Sequence, residues 1–418
     1  MEIIASLIKA LLIPVVILSF IPVLIWIERK GAAYIQDRRG PNRASILGIR
    51  LGGMIHNIAD VVKLLTKEEF IPAGANRFYF ILAPFLTMFI YTVTGAVIPF
   101  GDDLQFAGWK ISLQVADLNV GVLYLFSMSS LAVYGIMLAG WSSNNKYSFL
   151  GGLRASSQMI SYGLALGLSI VSIFMVSESV SLNEIVRTQG VQPWNWYFLK
   201  QPLACVLFVV AIFAETNRVP FDLPEGESEL VAGFHVEYSS MKFALFFMAE
   251  YVAMVVASAV IVSLFFGGWQ VPFLTTEMLK EGAAFYLRIA LLAVGILSFL
   301  GGILLVSKFR KGHYGDLRDY EVLVFGAPAL LVGVGLPLYL YYVGIPILPE
   351  WGPPVFAATC QIASFLAKII LFCFFFVWVR WTLPRFRYDQ VMSLGWKGML
   401  PLALFNILAT GVYLLIST

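Results

Sequence analysis

The amino-acid sequence predicts an all-α polytopic membrane protein: about ten transmembrane helices in a single integral membrane domain, residues 1–418. Three observations point there. Mean hydropathy is +0.83, with 59% hydrophobic and only 13% charged residues, far more apolar than a soluble core of this length needs. Apolar runs of about 20 residues recur along the chain, each long enough to cross a bilayer as a helix. Lys and Arg gather in alternate connections, the asymmetry that orients helices in a membrane.

The runs lie roughly at 3–27, 78–99, 119–140, 157–177, 198–215, 241–266, 284–306, 322–345, 357–379 and 399–417. The first is too long for a cleavable signal, lacks a small-residue cleavage site and carries Pro14 and Pro22. Connections 28–77, 141–156, 216–240, 307–321 and 380–398 hold most of the basic residues; the alternate ones hold Lys110, Arg187, Lys200, Lys280 and Arg288. This asymmetry puts the basic connections in the cytoplasm and both termini outside. Cys205, Cys360 and Cys373 all fall inside apolar runs, with no CxxC. His56, His235 and His313 are far apart, and there is no phosphate-binding loop and no HExxH. No FMN, iron–sulfur cluster or metal is expected on this chain, so any electron carriers lie elsewhere.

The first basic connection opens with WIERKGAAYIQDRRGPNR, residues 26–43. A membrane anchor explains Arg38, Arg39 and Arg43, but not Glu28 placed directly before Arg29 at a helix end. Residues 45–67 then carry Leu47, Leu51, Met54, Ile58, Val61 and Leu65 at helical spacing, with His56, Asp60, Lys63 and Lys67 opposite. A run this polar cannot span, so an amphipathic interfacial helix is expected. Connection 100–118, with Asp102, Asp103 and Asp117, reads as solvated. Asn144, Asn145 and Lys146 read as a turn, and the sign of Arg154 needs nothing beyond charge asymmetry. Trp194, Trp196 and Tyr197 read as an interfacial aromatic belt.

The densest chemistry lies in Ala214–Tyr251, AETNRVPFDLPEGESELVAGFHVEYSSMKFALFFMAEY. Glu215, Asp222, Glu225, Glu227, Glu229, Glu237 and Glu250 crowd between two apolar runs, where carboxylates are costly unless they meet water, cations or one another. Either 216–240 is a solvated cytoplasmic loop or it lines a polar cavity at the membrane edge. Glu215 ends a short span, Pro220 and Pro224 impose non-helical backbone, and Glu250 lies about two turns inside the next run. Further on, Lys368 sits mid-span, either snorkelling or paired, and Arg380, Arg385 and Arg387 follow at the next basic connection.

The stretch ETNRVPFDLPEGESELVAGFHVEY resembles the signature of the H-type membrane subunits of proton-pumping NADH-quinone oxidoreductase, respiratory complex I. AGWSSNNKYSFLGGLRASSQMISY and KIILFCFFFVWVRWTLPRFRYDQVMSLGWKGMLPL resemble that family too, and the likeness covers about 1–270 and 355–418. The resemblance implies a core of eight spans, with 284–345 an added transmembrane hairpin whose basic loop carries Lys308, Arg310, Lys311 and Arg318. It implies a quinone (ubiquinone or menaquinone) as substrate and a quinone chamber bordered by Glu28, Arg29, Asp60, Lys63, Asp222 and Glu225. A proton path through Glu215, Glu227, Glu229, Glu237 and Glu250 is implied, with Arg218, Lys368, Arg380, Arg385 and Arg387 as ion-pair partners. The implied partners are hydrophilic-arm quinone-site subunits and small membrane subunits that lead to antiporter-like subunits. Two departures stand out. The family usually has Gln-Pro where this chain has His56-Asn57, and Gly163 replaces an in-membrane glutamate after Gln158-Met159-Ile160-Ser161-Tyr162. Gly163 and Gly167 make GxxxG, so either helix packing replaces the acid or the proton route runs elsewhere.

Two other functions fit the composition. One is a membrane anchor for a related dehydrogenase or hydrogenase, which would lack the full PFDLPEGESELVAGF pattern. The other is a stand-alone secondary transporter, which would show internal repeats that this sequence lacks.

Overall fold

The computed structural model describes residues 2–106, 109–309, 320–344 and 348–417. In chain order the elements are α1 Glu2–Ile35, α2 Ile55–Thr66, α3 Arg77–Thr94, a hairpin of β1 Leu104–Phe106 and β2 Trp109–Ile111, α4 Gly121–Ser142, α5 Lys146–Ser177, α6 Leu182–Gln189, α7 Tyr197–Lys200, α8 Pro202–Glu215 and α9 Glu227–Leu230. Then come α10 Ser240–Phe265, α11 Thr276–Glu281, α12 Ala283–Phe309, α13 Glu321–Tyr342, α14 Gly352–Thr382, α15 Tyr388–Ser393 and α16 Leu400–Ser417. Nine helical stretches among the described residues are long and apolar enough to cross a membrane. The expected all-α polytopic fold is what forms.

α10 is the axis of the bundle: 78% of its span is enclosed, against 11% for α12 and for α13. Its sequence explains this. Ala249, Ala253 and Ala257 recur every four residues, so neighbouring backbones approach closely, and α1, α3, α8 and α14 pack around it. α12 and α13 pack on each other at the edge. At Gly333 an added Cβ would stand 2.5 Å from the Phe299 backbone nitrogen, so that contact requires glycine. In lipid such packing, together with interhelical hydrogen bonds, holds the bundle together. Gln201, Asn406, Thr410 and Ser172 supply one buried set of those bonds between α8, α16 and α5.

The expected span 198–215 is different. α8 has 14 residues, roughly 21 Å at 1.5 Å per residue, short of a bilayer's hydrocarbon thickness. Its end therefore turns inside the protein: Glu215, Thr216, Asn217, Arg218 and Asp222 are all buried. Irregular backbone at this depth is tolerable because protein covers it.

Three other expectations change. The helix expected over 45–67 forms only at Ile55–Thr66, because positive φ at Leu47, Leu51, Gly48 and Gly52 breaks the preceding backbone into turns. Connection 100–118 is structured: Arg187 on α6 bridges Asp102 at 2.6 Å and Asp103 at 3.0 Å, beside β1. Trp196 and Tyr197 are buried, leaving Trp194 as the exposed ring of that group.

Candidate functional site

The loop after α8 is fastened residue by residue. Gln158 of α5 donates to the carbonyls of Ala214 and Phe221, both at 2.8 Å, and to Asn217 Oδ1 at 3.3 Å. Asn217 takes positive φ, the Val219–Pro220 peptide is cis, and Pro220 O accepts from Phe386 N at 3.1 Å. The loop is thereby held between α5, α10 and the α14–α15 connection, with Arg218 and Asp222 facing inward.

Glu28, near the end of α1, gathers three donors. Tyr251 OH of α10 donates to it at 2.7 Å, Arg380 of α14 donates to it, and Arg218 Nη1 stands 3.7 Å away. The Arg218 guanidinium also lies 4.3 Å from the centre of the Tyr251 ring, a cation–π contact. Burial works against the charge on Arg218, but Tyr251, Glu28 and Glu250 together raise its pKa further, so it stays a cation. Asp222 accepts from Arg385 Nη2 at 2.8 Å. Burial, aided by Glu225 and opposed by Arg385, lifts the Asp222 carboxyl to about 7.

Glu250, buried on α10, is hydrogen-bonded to Glu225 of the loop. Four carboxyls (Glu28, Asp222, Glu225, Glu250) thus face three guanidiniums (Arg218, Arg380, Arg385), and His235 Nδ1 stands 3.9 Å from Glu225. Groups of opposite charge placed together are what a largely enclosed charged cluster needs. Tyr91 of α3 is within electrostatic reach of both Glu250 and Glu215. Glu215, which is hydrogen-bonded to Ser129 of α4, opens on a cavity of about 40 Å³ lined by Tyr91, Thr94, Ser129, Ala253 and Ala257 among others. Most of its wall is apolar, from Leu125, Phe126, Leu166, Ile212, Val256 and Val260, with Glu215, Tyr91, Thr94, Ser129 and Thr216 as its polar side chains.

A family model described as NADH dehydrogenase matches residues 8–411. The chain belongs to the NADH dehydrogenase family. It is 41% identical to an H-type NADH-quinone oxidoreductase subunit of Cytophaga hutchinsonii over 93% of this chain and 90% of that one. It is 41% identical to the Solibacter usitatus protein of the same name, over 97% and 96% of the two chains. The Geobacter sulfurreducens protein of that name is also 41% identical, over 97% and 93%.

Within this NADH dehydrogenase family member, the residues expected from sequence divide into groups. Glu28, Asp222, Glu225, Glu250, Arg218, Arg380 and Arg385 meet in the buried cluster. Arg29 and Asp60 pair with each other at 2.5 Å, beside Glu28 in sequence. Glu229 instead pairs with Arg154 at 2.5 Å, and Glu237 accepts from Asn145 Nδ2 at 2.6 Å. Both are thus engaged along the start of α5, apart from the cluster, and Arg154 has a specific acidic partner. Lys63 is exposed, and exposed Arg387 makes no ion pair among the described residues. Lys368, expected to pair with a carboxylate or snorkel, does neither. Its ammonium donates to the carbonyls of Phe266, Gly268 and Gln270 at 3.0, 3.0 and 2.8 Å and lies over the Trp196 ring. The side chains of Glu227 and Lys308, and residues Arg310, Lys311 and Arg318, lie outside the described residues.

Other working residues gave little signal in the sequence. Tyr251 adjoins Glu250 but looks like an ordinary span aromatic, as Tyr91 does. Gln158 stands in the family-like SQMISY run. At Gly163 and Gly167 an added Cβ would meet nothing within 4 Å. Among the described residues nothing packs closely on that GxxxG face, so the helix-packing alternative is not met there.

Proposed function

We propose that this chain is the membrane subunit of a proton-translocating NADH-quinone oxidoreductase, forming the membrane side of the quinone chamber and the start of the proton path. The observation that carries this reading is the enclosed cluster in which Glu28 meets Arg218, Arg380 and Tyr251 while Glu250 lies against Glu225. Two-electron reduction of a quinone takes up two protons and leaves transient negative charge until they arrive. A buried, near-neutral cluster answers such a charge by moving a proton, since in low dielectric each unbalanced charge is expensive. Among the described residues, the Nε and Nη2 atoms of Arg218 and Oδ1 of Asp222 are buried without a hydrogen-bond partner, so polar atoms of a quinone head group or of water fit there. A proton passing through the Glu225–Glu250 pair then moves by way of Tyr91 to Glu215 and into the cavity flanked by Ser129. This route bypasses Gly163 and reaches partner subunits through water or their own acids. The other subunits carry the electron centres. The basic connections face the cytoplasm of a bacterium whose inner membrane holds the complex, and α2 lies along the interface.

The test uses the assembled complex in vesicles. Glu225→Gln and Glu250→Gln should each slow quinone reduction and proton-gradient formation at least roughly tenfold with assembly intact. Normal rates in both variants would sink the reading. Purification decides the wider identity: a nickel subunit in the complex would mark a hydrogenase anchor, and isolation as a lone chain would mark a transporter.

A further inference from the structure

The α12–α13 hairpin meets the first basic connection through a buried ion pair. Glu321, the first residue of α13, accepts from Arg50 Nε at 3.0 Å, and both side chains are only 9% exposed. The same guanidinium donates from Nη1 to Asn42 Oδ1 at 3.2 Å. Asn42 and Arg50 are the two ends of a short turn. Between them Ile46 and Ile49 pair through their backbones, and Leu47 projects, 94% exposed. One planar fork therefore closes the base of the turn and fastens it to α13, with separate nitrogens on the two acceptors in a fixed geometry that lysine does not offer.

The turn leads directly into the residues beside the buried cluster. His56 Nε2 of α2 accepts from the backbone N–H groups of Arg43 and Ala44 at 3.3 and 3.2 Å. Trp26 of α1 donates to Gly52 O at 3.1 Å, and Asn57 Nδ2 donates to Pro22 O at 2.6 Å. One turn further along α2, Asp60 holds Arg29, the neighbour of Glu28. An arginine that merely anchored the chain to a membrane surface would be exposed. Arg50 is buried, and an unpaired guanidinium there would be strongly unfavourable, so the place of the turn is dictated by Glu321.

We propose that Arg50 and Glu321 are a positioning pair: the α12–α13 hairpin holds the 42–50 turn, and through it the Arg29–Asp60 pair, at the mouth by which quinone reaches the buried cluster. The proposal rests on the quinone-chamber reading above. It gives the peripheral hairpin a part in substrate access without placing its side chains against the substrate.

The experiment measures quinone reduction by the assembled complex with a long-tailed quinone, after assembly has been quantified. Glu321→Ala should raise the apparent KM roughly five- to tenfold and leave kcat within about twofold, the split expected when access rather than chemistry is disturbed. Glu321→Gln, whose amide oxygen still accepts from Arg50, should stay within about twofold of wild type, and the exchange Arg50→Glu with Glu321→Arg should recover most of the loss. If Glu321→Ala fails to assemble, Arg50→Lys is measured instead and should raise KM roughly threefold, because lysine lacks the planar fork whose separate nitrogens reach Asn42 and Glu321. An unchanged KM in whichever variant assembles, a fall in kcat alone, or an exchange that recovers nothing would overturn the proposal. A wild-type complex that reduces no quinone would instead overturn the chamber reading beneath it.

Discussion

Asp222 shows how much a single buried carboxyl can report. Its ordinary value is 3.8, and burial with Glu225 alongside lifts it to about 7 in the folded chain. The folded state therefore holds this proton more tightly than the unfolded one. The stability it contributes is complete below about pH 4 and is lost as pH rises through about 7. Melting of the purified complex should lose stability across that window, and Asp222→Asn should flatten the loss. A variant that keeps the full slope would remove Asp222 as its source. Arg380 makes a second case at this scale. It serves Glu28 inside the cluster, whereas the Lys110 side chain is 71% exposed and pairs with Asp103 on the opposite face. Glu28 is largely enclosed while the Arg380 side chain is 37% exposed, so losing this partner costs more than losing one of a fully exposed pair: Arg380→Ala should lower turnover or assembly by roughly threefold or more and Lys110→Ala by less than about twofold. Equal effects would contradict the assignment of Arg380 to the site. The residues themselves explain why the site was only partly legible. Glu225 and Glu229 are four positions apart in one acidic run, and nothing in their spacing says that one is buried against Glu250 and the other bound by Arg154. That division is made by backbone: Gly226 takes positive φ between the two acids, and the chain changes direction there.

At the scale of elements, the spans were legible because a membrane demands about 20 apolar residues in a row, a constraint on the sequence alone. α8 was legible as short for the same reason, and its shortness put Glu215 inside the protein. The turn over 42–50 was not legible. Its apolar residues continue the helical spacing of α2, and only the positive φ at Leu47, Gly48, Leu51 and Gly52 shows that the helix has not begun. The Arg50–Glu321 pair was silent because its members are 271 positions apart. Tyr91 and Ser129 were silent because, within a span, an aromatic and a hydroxyl are unremarkable until a carboxyl is seen beside them.

At the scale of the whole molecule, α14 is riveted to its surroundings at two heights. Lys368 ties it to the carbonyl end of α10, and Arg380, about 18 Å further along at 1.5 Å per residue, ties it to Glu28 of α1. A rod held at one point can pivot, but a rod held at two can only move with its frame. A change of charge at Glu28 would then be felt as torque on α10 and α14 together, with no slippage between them. The seam between the two rivets offers a gauge, since native Cys373 Sγ lies 3.4 Å from Ser258 Oγ across the α10–α14 contact. A cysteine introduced by Ser258→Cys should crosslink readily to Cys373 under mild oxidation, and adding Lys368→Met should slow that reaction roughly threefold or more by freeing one end of the rod. Equal crosslinking rates would mean that packing along the seam alone keeps α14 in register and that the lysine is no rivet.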